Sequence, residues 1–325
     1  HDVFQTLVRT LSEIPVPDAA DSWPAAQFEL LAEAGGNRWN IPREFGGDGA
    51  DNAEMLEVYR ELASGSLLTT FILTQRNAAC QRIETSSNDA IKQRLLRALC
   101  DGKCFATVGI SHLTTSRQHM KSPAVVAAVD HNSPGYRLTG SVPWATAVLA
   151  ADLLVTGGTL ADGRQILAAI PTTREGVRVR APIALMGLSS SQTSIVDLQN
   201  VFVAADEILH GPIERVMSSG TGGGAGSLGT SAVAIGTAQG ALRNFREEAD
   251  RRPELAEFVE PLQTEASILT TALRDSVKHA GDDGDSGGLS VEEIRQRANS
   301  LVLRTAQAWL AATKGAGYIA GHPAE

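Results

Sequence analysis

The chain of 325 residues has few of the features that mark several large classes of protein. It has only three cysteines, Cys80, Cys100 and Cys104, with no Cys-x-x-C spacing, so neither a disulfide framework nor a structural zinc site is predicted. We expect reduced thiols, no metal site and a cytoplasmic protein. No apolar run approaches the ~18 residues of a membrane-spanning helix, so no membrane partner is expected.

Basic charge is also scarce. Lys and Arg total 28 against 37 Asp and Glu, which gives a net charge of −9, and no basic run occurs. Proteins that bind nucleic acids carry basic surfaces that neutralise phosphate, so no nucleic-acid partner is expected. Hydrophobic residues make up 43% and charged residues 20% of the chain, as in an ordinary globular protein, and the length predicts two domains or more.

Hydrophobic patterns divide the chain into three parts. Up to residue 103, apolar residues recur at helical spacing, for example over 52–76. From there to about residue 210, short β-branched runs alternate with turn pairs such as Pro134-Gly135, which indicates a barrel or sandwich. Helical patterns then return, and Ser290 begins the last long helix with a capping-box-like sequence. We therefore predict an α+β multidomain fold with an N-terminal all-helical domain (1–103), a central β domain (104–210) and a C-terminal domain like a four-helix bundle (211–325), truncated at its end.

The chain has two glycine-rich stretches, of which the first resembles a phosphate-binding loop only in composition. Residues 218–230 lack the Gly-Lys-Ser/Thr of a P-loop and do not form a strand-anchored dinucleotide fingerprint. A linker is the favoured interpretation. Residues 281–288 form a second, acidic stretch, for which a flexible loop is predicted.

Trp144 and Thr146 lie two residues apart in the β part of the chain. On an extended chain their side chains point to the same face. An indole and a hydroxyl on one face suit a flat heteroaromatic ring, by stacking and by a hydrogen bond to the ring edge. The alternative is a tryptophan packed in the sheet core beside a threonine satisfied by the strand ladder.

Five motifs, spread over nearly the whole chain, make it similar to the acyl-CoA dehydrogenase family. The segment 138–146 resembles the family's L-N-G-x-K-x-W-I-T-N. The others are 41–47, similar to P-x-E-Y-G-G; 104–106, similar to the start of the first barrel strand; 186–209, similar to a stretch ending V-P-x-x-x-x-L; and 314–318 with Pro323 and Glu325, similar to G-G-x-G-Y followed by P-x-E-R.

The resemblance implies an FAD-dependent enzyme of fatty acid metabolism that dehydrogenates an acyl thioester at its α and β carbons. It also implies a homodimer or homotetramer and an electron acceptor or flavin reductase that the sequence does not identify. Trp144 would lie beside the flavin, and Thr146 would donate to its N5 edge. The flavin-binding residues implied are Phe105, Thr107, Val108, Trp144, Thr146, Phe258, Gly315 and Gly317, and the substrate-binding residues implied are Ser111 and Thr114.

The first barrel loop departs from the family pattern L-T-E-P-x-A-G-S-D. Val108 replaces the flavin-binding threonine in the simplest register, with Thr107 one residue early, and Gly109 replaces the acidic residue. The loop carries Ser111, His112, Thr114, Thr115 and Arg117 instead. His112 is a candidate base near the flavin edge, although a surface or hydrogen-bonding histidine is the more ordinary interpretation.

The family's pyrophosphate motif R-x-x-F-G-x-P-L is altered over residues 255–262. Leu255 stands for the arginine and Val259 for the glycine, and leucine cannot clamp a phosphate. Arg251 and Arg252, one helical turn away, could substitute. The chain begins at His1 rather than Met and stops at Glu325, so we expect a trimmed chain, with the family's catalytic glutamate beyond its end. No catalytic base is therefore identified.

Three functions remain open at this stage. The favoured one is a flavin-dependent dehydrogenase of acyl thioesters. The second is a flavin-dependent monooxygenase on the same fold, because such relatives often lack the glutamate and carry different polar residues in the first barrel loop. The third is a non-catalytic assembly or binding module, which the changes at Leu255 and Gly109 would allow.

Overall fold

The computed structural model describes residues 2–15, 19–114, 122–219, 228–278, 288–319 and 322. Helices come first, strands follow and helices return, which confirms the predicted fold class. The described helices are α1 (Asp2–Glu13), α2 (Ala25–Glu33), α3 (Asn52–Gly65), α4 (Leu67–Glu84), α5 (Asp89–Cys100), α6 (Leu228–Arg251), α7 (Ala256–Lys278) and α8 (Val291–Ala312). The described strands are β1 (Ala106–Val108), β2 (Val125–Val129), β3 (Gly135–Ala145), β4 (Leu153–Thr159), β5 (Gln165–Pro171), β6 (Val177–Val179), β7 (Ser194–Ala204) and β8 (Ile208–Ile213).

The chain forms two compact units. One unit comprises residues 1–15, 51–71 and 225–325, and the other comprises residues 16–50 and 72–224. The first is helical, and the second contains the sheet together with α2, most of α4 and α5. None of the helices in the described part of the chain has the length and hydropathy needed to cross a membrane.

Close contact between α3 and α6 holds the helical unit together. A Cβ added to Gly236 would lie 1.9 Å from the carbonyl oxygen of Arg60, and one added to Gly240 would lie 2.5 Å from that of Ser64. Glycines one turn apart on α6 therefore let the two backbones approach to a distance that any side chain would prevent. The ion pair of Glu57 on α3 with Arg274 on α7 binds a third helix to this pair, and Arg60 on α3 also contacts the Glu57 carboxylate.

The helical period over 52–76 is interrupted at Ser66. This residue has extended backbone angles, φ −151° and ψ 109°, so α3 ends before it and α4 begins after it. Its hydroxyl accepts a hydrogen bond from the backbone N–H of Thr69 at 3.3 Å, in the first turn of α4. A serine that caps the next helix therefore divides what the apolar spacing presents as one run.

The sheet has the strand order β6-β7-β3-β2-β4-β5-β8, and β1 pairs with β4 in parallel. Both faces of its central strands are buried. Along β4 and β5, Leu153, Val155 and Leu167 enter an apolar cluster with α4 and α5, while Leu154 and Ile166 enter a second cluster within the sheet. Alternation along an extended strand assigns successive residues to opposite faces, which explains why these strands are apolar throughout. Each fully buried aliphatic side chain contributes about 1.5–3 kcal/mol.

Candidate functional site

Trp144 lies near the C-terminal end of β3, at an irregularity in its pairing with β7. The register is interrupted between Val142, opposite Val196, and Ala145, opposite Ser194. Such a bulge bends a strand and turns a side chain away from its regular direction. Val142 and Ala145 are fully buried, whereas Trp144 is 43% exposed. The alternative of a tryptophan packed in the sheet core is therefore wrong, and the indole is available to a ligand.

Thr146 lies beyond the strand, in a turn, and is only 2% exposed. Its neighbour Ala147 has a left-handed φ of 57°, and the Ala147 N–H donates to the carbonyl oxygen of Ser191 at 2.8 Å. The extended geometry that would put Trp144 and Thr146 on one face therefore ends at Ala145. The hydroxyl of Thr107 donates to the carbonyl oxygen of Thr146 at 2.6 Å, and this hydrogen bond ties the turn to β1.

A hydroxyl-rich segment before β7 meets this turn. The Oγ1 atoms of Thr146 and Thr193 lie 3.1 Å apart, and the Oγ1 of Thr193 lies 2.8 Å from the Oγ of Ser191. We call Thr107, Thr146, Ser191 and Thr193 the hydroxyl cluster; all four are buried. Sequence reasoning missed Ser191 and Thr193. The signal that could have identified them is the run of hydroxyl residues between Leu188 and the next strand.

The same segment is tied to the chain before α2. The Ser190 hydroxyl donates to the carbonyl oxygen of Ala19, and the Gln192 side-chain amide donates to that of Asp21, both at 3.3 Å. Leu188 and Gln192 adopt left-handed backbone angles, φ 61° and 48°, on either side of the serines. Non-glycine residues in this conformation are uncommon, and several of them together mark a tightly constrained segment.

Phe105, predicted to bind the flavin, packs against two aromatic rings of the same N-terminal stretch. Its ring centroid lies 5.7 Å from that of Trp23 and 5.9 Å from that of Phe28, in edge-to-face geometry. Its backbone N–H donates to Asp152 Oδ2 at 2.8 Å. Trp23 and Phe28 did not emerge from sequence reasoning, because their contact with Phe105 joins segments that lie about eighty residues apart.

The strand β1 brings Thr107 to the hydroxyl cluster but turns Val108 away from it. Val108 is buried in the apolar cluster beside α5, on the opposite face from Thr107. Gly109 follows in a confined position, where an added Cβ would lie 2.6 Å from Val142 Cγ1 and 3.1 Å from Leu154 Cδ1. A carboxylate side chain at Gly109 would therefore need the sheet core to move.

Ser111, His112 and Thr114 lie in and just after a short 3₁₀ turn, Ser111–Leu113. His112 Nε2 lies 3.0 Å from the carbonyl oxygen of Gly157. Because a carbonyl can only accept, this ring nitrogen carries the proton, and in the neutral ring the basic nitrogen is then Nδ1. The Thr114 hydroxyl donates to the carbonyl oxygen of Ser111 at 2.7 Å. Thr115 and Arg117 lie outside the described residues.

Phe258, Gly315 and Gly317 belong to the helical unit, not to the unit that contains the hydroxyl cluster. Phe258 is 55% exposed on α7. The two glycines lie in a 3₁₀ turn, Lys314–Tyr318, where a Cβ at Gly317 would lie 2.0 Å from the Thr313 hydroxyl, whereas one at Gly315 would meet nothing within 4 Å. Pro323 and Glu325 lie outside the described residues.

The cysteines do not add a nucleophile. Burial raises the pKa of the Cys104 thiol to about 11 and also raises the pKa of the Cys80 and Cys100 thiols. All three therefore stay protonated at neutral pH, and a protonated thiol is a weak nucleophile. The chemistry of the site depends instead on hydroxyls, an indole and backbone groups.

The described residues fit one part of the implied flavin and not another. Trp144 supplies an exposed indole on which a ring could stack, and the turn that follows it carries buried hydroxyls that could donate a hydrogen bond. At the position of the pyrophosphate motif, Leu255 offers no donor. Arg251 and Arg252 both contact Glu248, and Arg252 also donates to the carbonyl oxygen of Ala312. The described residues therefore provide more groups that could bind the flavin ring than groups that could bind its phosphates.

Comparisons with known proteins find relatives of this chain by sequence and by structure. Residues 1–103 match the family model described as the acyl-CoA dehydrogenase N-terminal domain. A dibenzothiophene monooxygenase of Mycolicibacterium goodii is 31% identical over 243 residues, which cover 71% of this chain and 57% of that protein. The chain thus spans only about half the length of this curated relative.

Two solved structures extend the match to almost the whole chain. Glutaryl-coenzyme A dehydrogenase in complex with glutaryl-CoA superposes with a TM-score of 0.82 at 20% identity, covering 99% of this chain and 87% of that one. FMN-bound TdsC, a dibenzothiophene monooxygenase of Paenibacillus sp. A11-2, superposes with a TM-score of 0.72 at 17% identity, covering 96% and 83%. At these identities the likeness establishes the fold alone.

Proposed function

Because the chain has the acyl-CoA dehydrogenase fold, with that family's N-terminal domain over residues 1–103, we propose that it is a flavin-dependent oxidoreductase. The observation that carries the proposal is the half-exposed Trp144 two residues before Thr146, whose buried hydroxyl belongs to the hydroxyl cluster. TdsC, which has a similar fold, binds FMN, and this supports a flavin as the ligand of Trp144 and Thr146.

A flavin supplies the electron transfer when bound, and the protein supplies position and surroundings. Trp144 would stack on the ring, and the Thr146 hydroxyl would donate to its edge. Thr107 holds the Thr146 backbone through the 2.6 Å hydrogen bond to its carbonyl oxygen. The apolar residues of β1 and β4 are buried in two clusters of the same unit.

Of the two reactions considered, we favour monooxygenation of an aromatic sulfur heterocycle or a related apolar ring. One oxygen atom of O₂ would enter the substrate and the other would leave as water, with two electrons supplied through the flavin by an external reductase. The 31% identity to a dibenzothiophene monooxygenase supports this choice.

Dehydrogenation of an acyl thioester is the second candidate. The match of residues 1–103 to the N-terminal domain of acyl-CoA dehydrogenases favours it. This reaction needs a base within hydrogen-bond reach of the substrate's α-proton. His112 is the candidate in the described part of the first loop, and because its Nε2 donates to the Gly157 carbonyl oxygen, Nδ1 would be the atom that takes the proton. Assembly into a homodimer or homotetramer is part of either proposal.

One pair of assays separates the two reactions. The full-length protein is loaded with FAD or FMN and mixed anaerobically with a panel of acyl-CoA thioesters, and the flavin absorbance is followed. In parallel it is supplied with a flavin reductase, NADH, O₂ and dibenzothiophene. We expect no bleaching in the first assay and a sulfoxide product in the second. Bleaching by an acyl-CoA without sulfoxide formation would establish the dehydrogenase instead.

A further inference from the structure

We propose that Thr193 is a positioning residue that determines whether the Thr146 hydroxyl donates or accepts a hydrogen bond at the flavin edge. The inference rests on the proposed flavin function and adds to it a residue that does not touch the flavin. It starts from the position of Thr193 between two other buried hydroxyls. Its Oγ1 lies 3.1 Å from that of Thr146 and 2.8 Å from the Oγ of Ser191.

A hydroxyl donates one hydrogen bond and accepts up to two. Thr193 has one hydrogen, and when it uses that hydrogen within the cluster it donates to one hydroxyl neighbour and accepts from the other. All three side chains are buried, and a buried hydroxyl without a partner is unfavourable. The three hydroxyls therefore have two arrangements in which Thr193 both donates and accepts within the cluster, and these run in opposite directions.

In the first arrangement, Ser191 donates to Thr193 and Thr193 donates to Thr146. The Thr146 hydrogen is then free to point at an acceptor outside the cluster. In the second, Thr146 donates to Thr193 and Thr193 donates to Ser191, so the Thr146 oxygen faces outward as an acceptor only. Turning three O–H groups interconverts the two arrangements without moving a heavy atom.

The two arrangements match the two redox states of a flavin. The ring-edge nitrogen of an oxidised flavin is an acceptor, and that of a reduced flavin carries a hydrogen and is a donor. Thr146 can bond the oxidised ring without help from Thr193, because the Thr146 hydrogen then points at the ring. To serve the reduced ring, it must direct its own hydrogen elsewhere, and Thr193 is the acceptor that the cluster provides.

The backbone holds Thr193 in this place. It immediately precedes β7, whose first residue, Ser194, pairs with Ala145 at the end of β3. The Thr193 carbonyl oxygen accepts from the Ile183 N–H at 2.8 Å. The distance between Thr193 and Thr146 is therefore set by sheet register and not by a loop that a ligand would have to order.

The test is the replacement Thr193→Val, which removes the hydroxyl and keeps the shape of the side chain. The dissociation constants of oxidised and of dithionite-reduced flavin are measured anaerobically on the full-length protein. Loss of one hydrogen bond corresponds to about a three- to tenfold change in affinity. We expect the reduced flavin to be weakened by about this factor and the oxidised flavin by less, so that the reduction potential of the bound flavin falls. Thr193→Ser should restore both constants.

Two further variants separate this role from general stability. Thr70→Val removes another fully buried hydroxyl, which donates to the Ser66 carbonyl oxygen at 2.8 Å, and it should leave the ratio of the two constants unchanged. Ser191→Ala removes the final acceptor of the second arrangement and should shift the ratio in the same direction as Thr193→Val, which provides the test if the valine variant does not fold.

The outcomes are distinct. A wild-type protein that binds neither oxidised nor reduced flavin overturns the proposed function and this inference with it. A wild-type protein that binds flavin, with Thr193→Val and Ser191→Ala leaving the ratio of the two constants unchanged, overturns the inference alone. Equal weakening of both redox states would assign Thr193 a purely structural role and would also overturn it.

Discussion

Trp144 is exposed at the end of a strand whose neighbouring side chains are buried, and this contrast gives it a testable role. Val142 and Ala145 fill the sheet core, so the core does not depend on the indole between them. A buried tryptophan replaced by alanine costs about 3–5 kcal/mol, but a ring that is 43% exposed loses less packing. Its stacking surface is therefore more important for a ligand than for the fold.

We predict that Trp144→Ala lowers flavin affinity strongly while costing less than about 2 kcal/mol of unfolding free energy, below the range for a buried ring. The check is the melting temperature with and without added flavin. The variant should melt close to the wild-type protein when no flavin is present and should lose most of the increase that flavin produces. A large drop without flavin, and an unchanged increase with it, would contradict the proposed role.

Gly109 is a second residue whose replacement can be tested, because a Cβ atom added there would crowd the sheet core. An added Cβ would lie 2.6 Å from Val142 Cγ1 and 3.1 Å from Leu154 Cδ1, and both of these residues lie in the packed sheet core. Overpacking of a core costs about 1–3 kcal/mol, so Gly109→Ala should lower the free energy of unfolding by that amount. Gly187→Ala is the matched control, because a Cβ there meets nothing within 4 Å. Equal denaturation midpoints for the two variants would show that the core yields without cost.

At the scale of elements, the contact between α3 and α7 makes the stability of the helical unit depend on pH. The hydrogen bond from Arg274, and to a smaller extent the one from Arg60, lowers the pKa of the Glu57 carboxyl from its ordinary value of 4.5 to about 2, against an opposing effect of burial. A carboxylate whose pKa is lowered by folding stabilises the fold at any pH above its unfolded value. That stabilisation is lost as pH falls from about 4.5 to about 2.

We therefore predict that Glu57→Gln flattens the pH dependence of stability in that window and lowers stability at neutral pH. Urea unfolding at a series of pH values between 2 and 7 measures both effects. Arg274→Gln should act in the same direction, since it removes the largest cause of the pKa shift. Parallel curves for the wild type and Glu57→Gln would rule out the ion pair as a source of acid sensitivity.

The elements themselves are largely encoded in local pattern, and their exceptions have local causes. Apolar spacing predicted the helices and β-branched runs predicted the strands, because each period follows from backbone geometry. Ser66 divides one run into α3 and α4 through a cap that apolar spacing does not register. Trp144 and Thr146 do not lie on one extended strand, because β3 ends between them, and strand ends are poorly defined by pattern alone.

The hydroxyl cluster shows the limit of sequence reasoning at a site. Thr107 and Thr146 were identified through a family resemblance, and the structure brings them together through a 2.6 Å hydrogen bond. Ser191 and Thr193 were not identified, because they reach Thr146 only through the register between β3 and β7. Pairing between strands so distant in the chain depends on the whole sheet, and no local motif specifies it.

For the whole molecule, the order of helical, β and helical segments predicted the fold class, whereas the compact units combine segments that lie far apart. Residues 1–15 and 51–71 join 225–325 in one unit, through contacts such as those of Gly236 with the backbone of α3. The domain boundaries at residues 103 and 210 stay predictions. Close packing between distant segments depends on tertiary context, which local composition does not record.

The central claim is that Trp144 and the hydroxyl cluster form the wall of a flavin site. The most direct measurement is the absorbance spectrum and flavin content of the full-length protein after incubation with FAD or FMN and gel filtration. The account predicts a yellow protein with about one flavin per chain, reduced well below that in Trp144→Ala. Flavin that elutes entirely apart from the folded wild-type protein would contradict it.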